Sequence, residues 1–166
     1  MNLIYAQTVP LLTRHLKALH GILNKAQTHA AERKFDESVL VNARLAPDMH
    51  ALARQIQIAG DFGKGACARL SGVENPKYED HEKTLAELGA RIEKTLTFIA
   101  SIDAAKFDGC ENRKISLTLG GHAYVGSGAD YVRDIVLPHF YFHTCTAYAI
   151  LRHQGLQIGK LDYLGA

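Results

Sequence analysis

The sequence predicts an all-α protein, a four-helix bundle with a small β-hairpin inserted before the last helix. Apolar residues recur at spacings of three and four over most of the 166 residues. One short stretch, residues 114–125, instead alternates polar and apolar residues around a pair of glycines. The length, with a hydrophobic content of 47%, is typical of one domain with a sizeable core, here residues 1–166.

The first two helices are predicted from their apolar faces. The first helix is expected from about residue 3 to 29, on the apolar face formed by Thr8, Leu12, His15, Leu16, Leu19, Ile22, Leu23 and Ala26. Residues 30–45 are mixed in character and are predicted to form a connection. The second helix is expected to begin at Pro47 and Asp48, because proline is tolerated in a first turn and an acid there complements the helix dipole.

The third and last helices have recognisable starts and ends. Thr84 and Glu87 have the spacing of a capping box, which predicts the start of the third helix. Pro138 is expected either to kink the last helical segment or to begin a new helix. Gly155 is expected to be the C-terminal cap of that helix. The tail, residues 156–166, is predicted to be too short for another element.

Between these two helices the chain is predicted to form a hairpin. Gly120 and Gly121 separate two short alternating runs, and a glycine pair is typical of a two-residue hairpin turn. A lone hairpin is only marginally stable in water. We therefore expect it either to pack on the helices or to pair in a dimer.

Charge, hydropathy and cysteine content exclude several classes of protein. The net charge of +2 comes from 19 basic and 17 acidic residues that are dispersed, which argues against nucleic-acid binding. A membrane span needs about 18 or more consecutive apolar residues, and neither such a run nor a signal-peptide pattern is present. The three cysteines have no CxxC spacing. This usage is typical of the reducing cytoplasm, where we expect the protein to be.

The last helix carries a pair of histidines, out of nine in the chain. His139 and His143 are four residues apart, so their side chains lie about 40° apart around a helix and one turn from each other. Two imidazoles at this spacing can reach one metal ion. The same spacing also fits two core or half-exposed histidines on a bundle helix, and both interpretations stay open.

His50 is the best candidate for a third metal ligand, because a catalytic zinc ion typically takes three protein ligands. We expect it one turn into the second helix, beside the apolar face. Arg54 follows on the same side, and a guanidinium near a divalent cation is unfavourable unless an anion lies between them. Arg54 is therefore expected either to turn to solvent or to help bind an anionic group of a substrate. No carboxylate is convincingly placed as a general base, so no catalytic residue is assigned.

Two segments carry a resemblance to a known superfamily: residues 45–50, Leu-Ala-Pro-Asp-Met-His, and residues 137–143, Leu-Pro-His-Phe-Tyr-Phe-His. The chain resembles the DinB-like, YfiT-like superfamily of metal-dependent bundle proteins, and within it a domain-of-unknown-function branch. The resemblance covers nearly the whole chain. It implies a four-helix bundle, often a homodimer, with a metal site at the positions of His50, His139 and His143.

Two functional hypotheses follow. In the first, the protein is an enzyme in which a nickel or zinc ion on the three histidines ionises water or deprotonates a thiol. It would then be a hydrolase or a thiol-dependent transferase that acts on a small-molecule substrate. In the second, it is a non-catalytic dimeric helical protein that binds a small ligand or a partner, with structural histidines and a hairpin that contributes to an isologous interface. Neither hypothesis involves nucleic acid or a membrane.

Overall fold

The structure is a computed structural model that describes residues 3–166, so the first two residues of the predicted domain lie outside it. Its helices are α1 (Leu3–Arg33), α2 (Ser38–Val41), α3 (Leu52–Ser71), α4 (Leu85–Ala100), α5 (Gly128–Tyr131), α6 (Leu137–His153) and α7 (Lys160–Leu164), and its strands are β1 (Ile115–Leu119) and β2 (His122–Gly126). The four long helices form a bundle in which α1 packs on α4, α4 on α3, and α3 on α6. The predicted fold class is confirmed. Within residues 3–166, every helix is too short or too polar to cross a membrane.

The core lies where the apolar faces of the four long helices meet. Its fully buried residues include Leu12 and Leu16 of α1, Ile56 of α3, Leu88 of α4 and Phe140 of α6. These residues recur at spacings of three and four within each helix, so one face of each helix is buried and the opposite face is exposed. The bundle thereby fixes which side of α3 faces which side of α6.

The start of α4 has the predicted capping box. The Thr84 hydroxyl oxygen accepts from the Glu87 N–H at 3.1 Å, and the Glu87 carboxylate accepts from the Thr84 N–H at 3.1 Å. Each side chain thus satisfies a backbone N–H that the helix itself leaves free. The prediction of a helix from these two residues is confirmed.

The second helix of the bundle begins later than predicted. Pro47 and Asp48 lie in a turn. The turn is closed by a hydrogen bond of 3.0 Å from the Met49 N–H to the carbonyl of Ala46. The first residue of α3 is Leu52, and its N–H bonds to the carbonyl of Ala43 at 2.9 Å. The predicted start at Pro47 is therefore wrong, because this longer-range bond sets the beginning of the helix. His50 consequently lies in the loop before α3 and not one turn into it.

The connection after α1 is shorter than the predicted residues 30–45 and contains one turn of helix. α1 continues to Arg33, where Lys34 takes a positive φ of 54° and the Phe35 N–H bonds to the carbonyl of Ala30. This arrangement ends the helix without the glycine that usually marks such an end. The one-turn helix α2 follows, and the Asp36 side chain accepts from the Ser38 N–H at 2.8 Å at its start.

The C-terminal tail forms the short helix α7, so the prediction that residues 156–166 are too short for another element is wrong. The carboxylate of Asp162 accepts from the Gly159 N–H at 2.8 Å and pairs with Lys25 of α1. Arg14 of α1 donates to the carbonyl of Leu164 at 2.7 Å. Besides the capping bond within the tail, α7 is thus held by partners on α1 that are far away in sequence.

Pro138 lies within a helical segment that runs without interruption over residues 128–153. Residues Val132–Val136 form a π-helical turn, and Pro138 then lies in the first turn of α6. A proline in a first turn removes only an N–H that has no partner inside the helix. The helical segment is therefore not interrupted at Pro138, and a change from π-helical to α-helical hydrogen bonding lies directly before it.

The hairpin has the predicted turn and packs on its own chain. Gly120 and Gly121 have φ angles of 53° and 84°. A two-residue hairpin turn of type I′ needs a positive φ at both central positions. Leu117 pairs with Tyr124, and both residues pack against the core. Of the two expectations for the hairpin, packing on the helices is therefore observed.

Candidate functional site

His143 is the most constrained of the three predicted metal ligands. It lies on α6 and is 8% exposed. Its Nδ1 is 2.7 Å from the side-chain oxygen of Gln55 on α3. An amide oxygen can only accept, so Nδ1 carries the proton and Nε2 keeps its lone pair. The packing of α3 against α6 thus selects one tautomer of His143 and leaves the other nitrogen able to bind a ligand.

Gln55 also holds the loop that carries His50. Its Nε2 donates to the backbone carbonyl of His50 at 3.1 Å, while its Oε1 accepts from His143. Both ends of this buried amide are therefore satisfied. The sequence analysis did not single out Gln55. The signal that was available is a glutamine on the inner face of a predicted helix, one turn after a candidate ligand.

His139 lies on α6 one turn before His143 and stands apart from it. The ring centroids of the two histidines are 6.5 Å apart, and the His139 ring stacks on Phe62 of α3 at 4.5 Å. With metal–nitrogen bonds of about 2.0–2.1 Å, two imidazole centroids on one tetrahedral ion lie about 5 Å apart. The rings of His139 and His143 would therefore have to move closer together to share an ion.

The electrostatics of the site keep His143 neutral. Burial, followed by the charges of His139, His50 and Arg54, lowers the pKa of His143 to about 4. At neutral pH its imidazole is therefore uncharged, as a metal ligand must be. The influence of all three charges also means that the predicted ligands His50 and His139 lie in the neighbourhood of His143.

The three histidines have the donor atoms that a divalent metal ion prefers. Their observed positions match a metal site less closely. Neutral imidazoles are typical ligands of zinc and nickel, and a metal-binding histidine usually donates its other N–H to a neighbouring acceptor, as His143 does to Gln55. However, His50 is exposed on its loop and His139 is stacked on Phe62. In the part of the chain that the structure describes, no group of three or more His, Cys, Asp or Glu side chains is arranged to hold a metal ion. The metal site stays a prediction.

Arg54, which was expected either to turn to solvent or to bind an anionic group, has an acidic partner within its own chain. It pairs with the carboxylate of Asp80 in the loop before α4 and donates to the side-chain oxygen of Gln57 at 3.3 Å. This intramolecular pair offsets part of the guanidinium charge beside the histidines. The sequence analysis missed Asp80, because nothing in the spacing of residues 54 and 80 indicates that they meet.

Comparison with known proteins supports the resemblance derived from the sequence. The family model described as "Domain of unknown function (DUF1993)" matches residues 4–164. A crystal structure at 1.83 Å resolution of a DinB family member protein from Shewanella denitrificans is similar to this chain, with 41% sequence identity and a TM-score of 0.89. The match covers 98% of this chain and 92% of that one. Among curated proteins, none matches this chain. The chain therefore belongs to the DUF1993 family of DinB-like helical proteins.

Proposed function

We propose that the protein binds a divalent metal ion through His50, His139 and His143 and is a metal-dependent enzyme that acts on a small-molecule substrate. The observation that carries this proposal is the buried hydrogen bond between His143 and Gln55. It orients a neutral imidazole and leaves its Nε2 free, which is how proteins usually prepare a histidine for a metal.

The residues around the histidines have distinct roles in this proposal. Gln55 maintains the tautomer of His143 and, through the carbonyl of His50, the position of the loop. Asp80 offsets the charge of Arg54 that a bound cation would otherwise face. A nickel or zinc ion would supply the Lewis acidity that ionises water or deprotonates a thiol, which is the chemistry of a hydrolase or a thiol-dependent transferase.

The experiment that tests the proposal is a measurement of metal content. The protein is purified without a polyhistidine tag, loaded with zinc or nickel and dialysed. We expect about one tightly held ion per chain, as three protein ligands predict. The substitution His143→Ala should abolish this binding, and circular dichroism should show that the variant is folded.

His153→Ala is the matched control, because His153 lies on the same helix and is exposed. It should keep the metal. Absence of metal in the native chain, or an unchanged content in His143→Ala, would overturn the proposal. Light scattering on the same samples tests the homodimer that the resemblance implies.

A further inference from the structure

A cleft of about 470 Å³ lies between α3, the loop after it and the hairpin. Sites for small molecules usually enclose about 300–1,000 Å³, so the cleft is large enough for one. Its apolar walls are Ile58 and Phe62 of α3 and Leu117 and Leu119 of β1. Leu117 and Leu119 share the inner face of the strand, whereas its outward residues are exposed. The hairpin thus contributes an apolar wall to the cleft.

The charged side chains of the cleft are mostly cationic. Its lining includes Arg54, Lys64, Arg69 and Lys77, against the two acids Asp61 and Glu79. Arg54 pairs with Asp80, and Lys64 donates to the carbonyl of Pro76 and lies 3.6 Å from Asp61. Asp61 also pairs with Arg91 at 3.2 Å. Two of the four cations are therefore compensated by the protein itself.

Arg69 and Lys77 are not compensated in this way. Arg69 is half-buried, and its guanidinium donates to the neutral hydroxyl of Tyr131 at 3.2 Å. Neither Arg69 nor Lys77 has an ion-pair partner within the described residues. Glu79 is exposed at the rim of the cleft and does not pair with either of them. The cleft therefore keeps an excess of positive charge in which Arg69 is the more buried member.

Gly65 leaves room for the guanidinium of Arg69. Gly65 lies one turn earlier on α3, and a Cβ atom there would overlap Nη1 of Arg69. The absence of a side chain at Gly65 lets the guanidinium lie against the helix inside the cleft. Its planar fork of donors matches carboxylate and phosphate groups, and one hydroxyl does not use all of those donors.

We propose that this cleft binds a small amphipathic anion, in which a carboxylate or phosphate group is attached to an apolar chain. The anionic group lies at Arg69 and Lys77, and the apolar part lies against Ile58, Leu117 and Leu119. The site contains no histidine and does not depend on a metal. Phe62 lines the cleft and also stacks on His139, so the bound molecule lies next to the candidate metal ligands.

The test is isothermal titration calorimetry on the chelator-treated full chain with three probes of equal chain length: octanoate, octyl phosphate and octylammonium. We expect both anions to bind, and the tighter of the two identifies the head group. Octylammonium should bind at least about tenfold more weakly, because charge-assisted hydrogen bonds to the guanidinium would be replaced by repulsion. Equal binding of the ammonium probe, or no binding of either anion, overturns the proposal.

Two variants locate the binding site. Arg69→Gln should weaken anion binding about tenfold or more, and Lys77→Gln should weaken it about threefold, since Lys77 is exposed and its charge is screened. Arg33→Gln, an exposed arginine at the end of α1, is the matched control and should leave binding unchanged. Lys77 lies on an exposed loop, so its variant tests the proposal even if Arg69→Gln does not fold. Unchanged binding in every folded variant overturns the assignment to this cleft.

Discussion

The side chains of His143 and Gln55 join two helices of the bundle through a buried hydrogen bond of 2.7 Å across 88 positions of sequence. Gln55 extends the connection to the backbone carbonyl of His50. The relative position of α3 and α6 therefore also determines the tautomer of His143 and the position of the loop that carries His50. Packing of the bundle and preparation of the candidate site depend on the same amide.

This relationship predicts that Gln55→Leu affects two measurements. Loss of the second-layer partner of a metal-binding histidine typically costs 10–100-fold in metal affinity, and we expect a fall of about that size in a chelator competition assay. The free energy of unfolding in urea should fall by about 1–3 kcal/mol, because His143 Nδ1 then has no acceptor.

Gln57→Leu is the matched control for this experiment. Gln57 is equally buried on the same helix, and it donates to Glu82 at 2.9 Å. Its replacement should reduce stability by a similar amount and leave metal affinity unchanged. An equal loss of metal affinity in the two variants would show that Gln55 has no specific role in positioning His143.

A network of charges around Arg91 predicts how stability depends on pH. Arg91 donates to Glu82 at 2.9 Å and pairs with Asp80 at 2.9 Å and Asp61 at 3.2 Å. Burial acts to raise the pKa of Glu82, but the hydrogen bonds from Arg91 and Gln57 outweigh it and lower that pKa. The folded state therefore releases the proton of Glu82 more readily than the unfolded state does.

The sign of the effect follows from proton binding. Below about pH 4.5, the ordinary pKa of glutamate, the unfolded chain takes up this proton first, so stability decreases as the pH falls through the folded pKa. Glu82→Gln should lower the free energy of unfolding at pH 7 by about 1–3 kcal/mol and flatten its decrease between about pH 5 and pH 3. Urea unfolding at several pH values measures both. The exposed Glu74 provides the control Glu74→Gln, which should follow the native curve.

We predict that Gly128, the first residue of α5, cannot be replaced by a residue with a side chain. A Cβ atom at Gly128 would overlap the backbone carbonyl oxygen of Cys110, which cannot move aside as a flexible side chain would. We expect Gly128→Ala to lower the free energy of unfolding by about 2 kcal/mol or more. Gly21 lies within α1 with open space around it, so Gly21→Ala should raise stability by up to about 1 kcal/mol. Thermal unfolding of the two variants should give shifts of opposite sign.

The parts of the fold that could be predicted from the sequence are those determined by nearby residues. The capping box of Thr84 and Glu87 and the turn at Gly120 and Gly121 depend on residues at most three positions apart. Amphipathic periodicity likewise predicts the long helices. The start of α3 was not predictable, because it depends on a bond to the carbonyl of Ala43 in the preceding loop.

The candidate site likewise has features that the sequence predicts and features that it does not. His139 and His143 were predicted as a pair because four positions on a helix fix the angle between them. The ring stacking of His139 on Phe62 and the pairing of Arg54 with Asp80 join different segments of the chain. Hydropathy periodicity carries no information on such contacts, since they depend on how the helices and the loop pack together.

The three cysteines are predicted to differ in reactivity. Cys145 is exposed, whereas Cys67 and Cys110 are buried, and burial raises the pKa of Cys67 to about 12. The thiolate is the nucleophile that attacks a disulfide reagent, so an accessible thiol reacts first. A chromogenic disulfide reagent should therefore modify one thiol per native chain and all three after unfolding in urea. Cys145→Ser should abolish the reaction of the native chain. Its persistence in that variant would mean that a buried cysteine becomes exposed by local opening of the bundle.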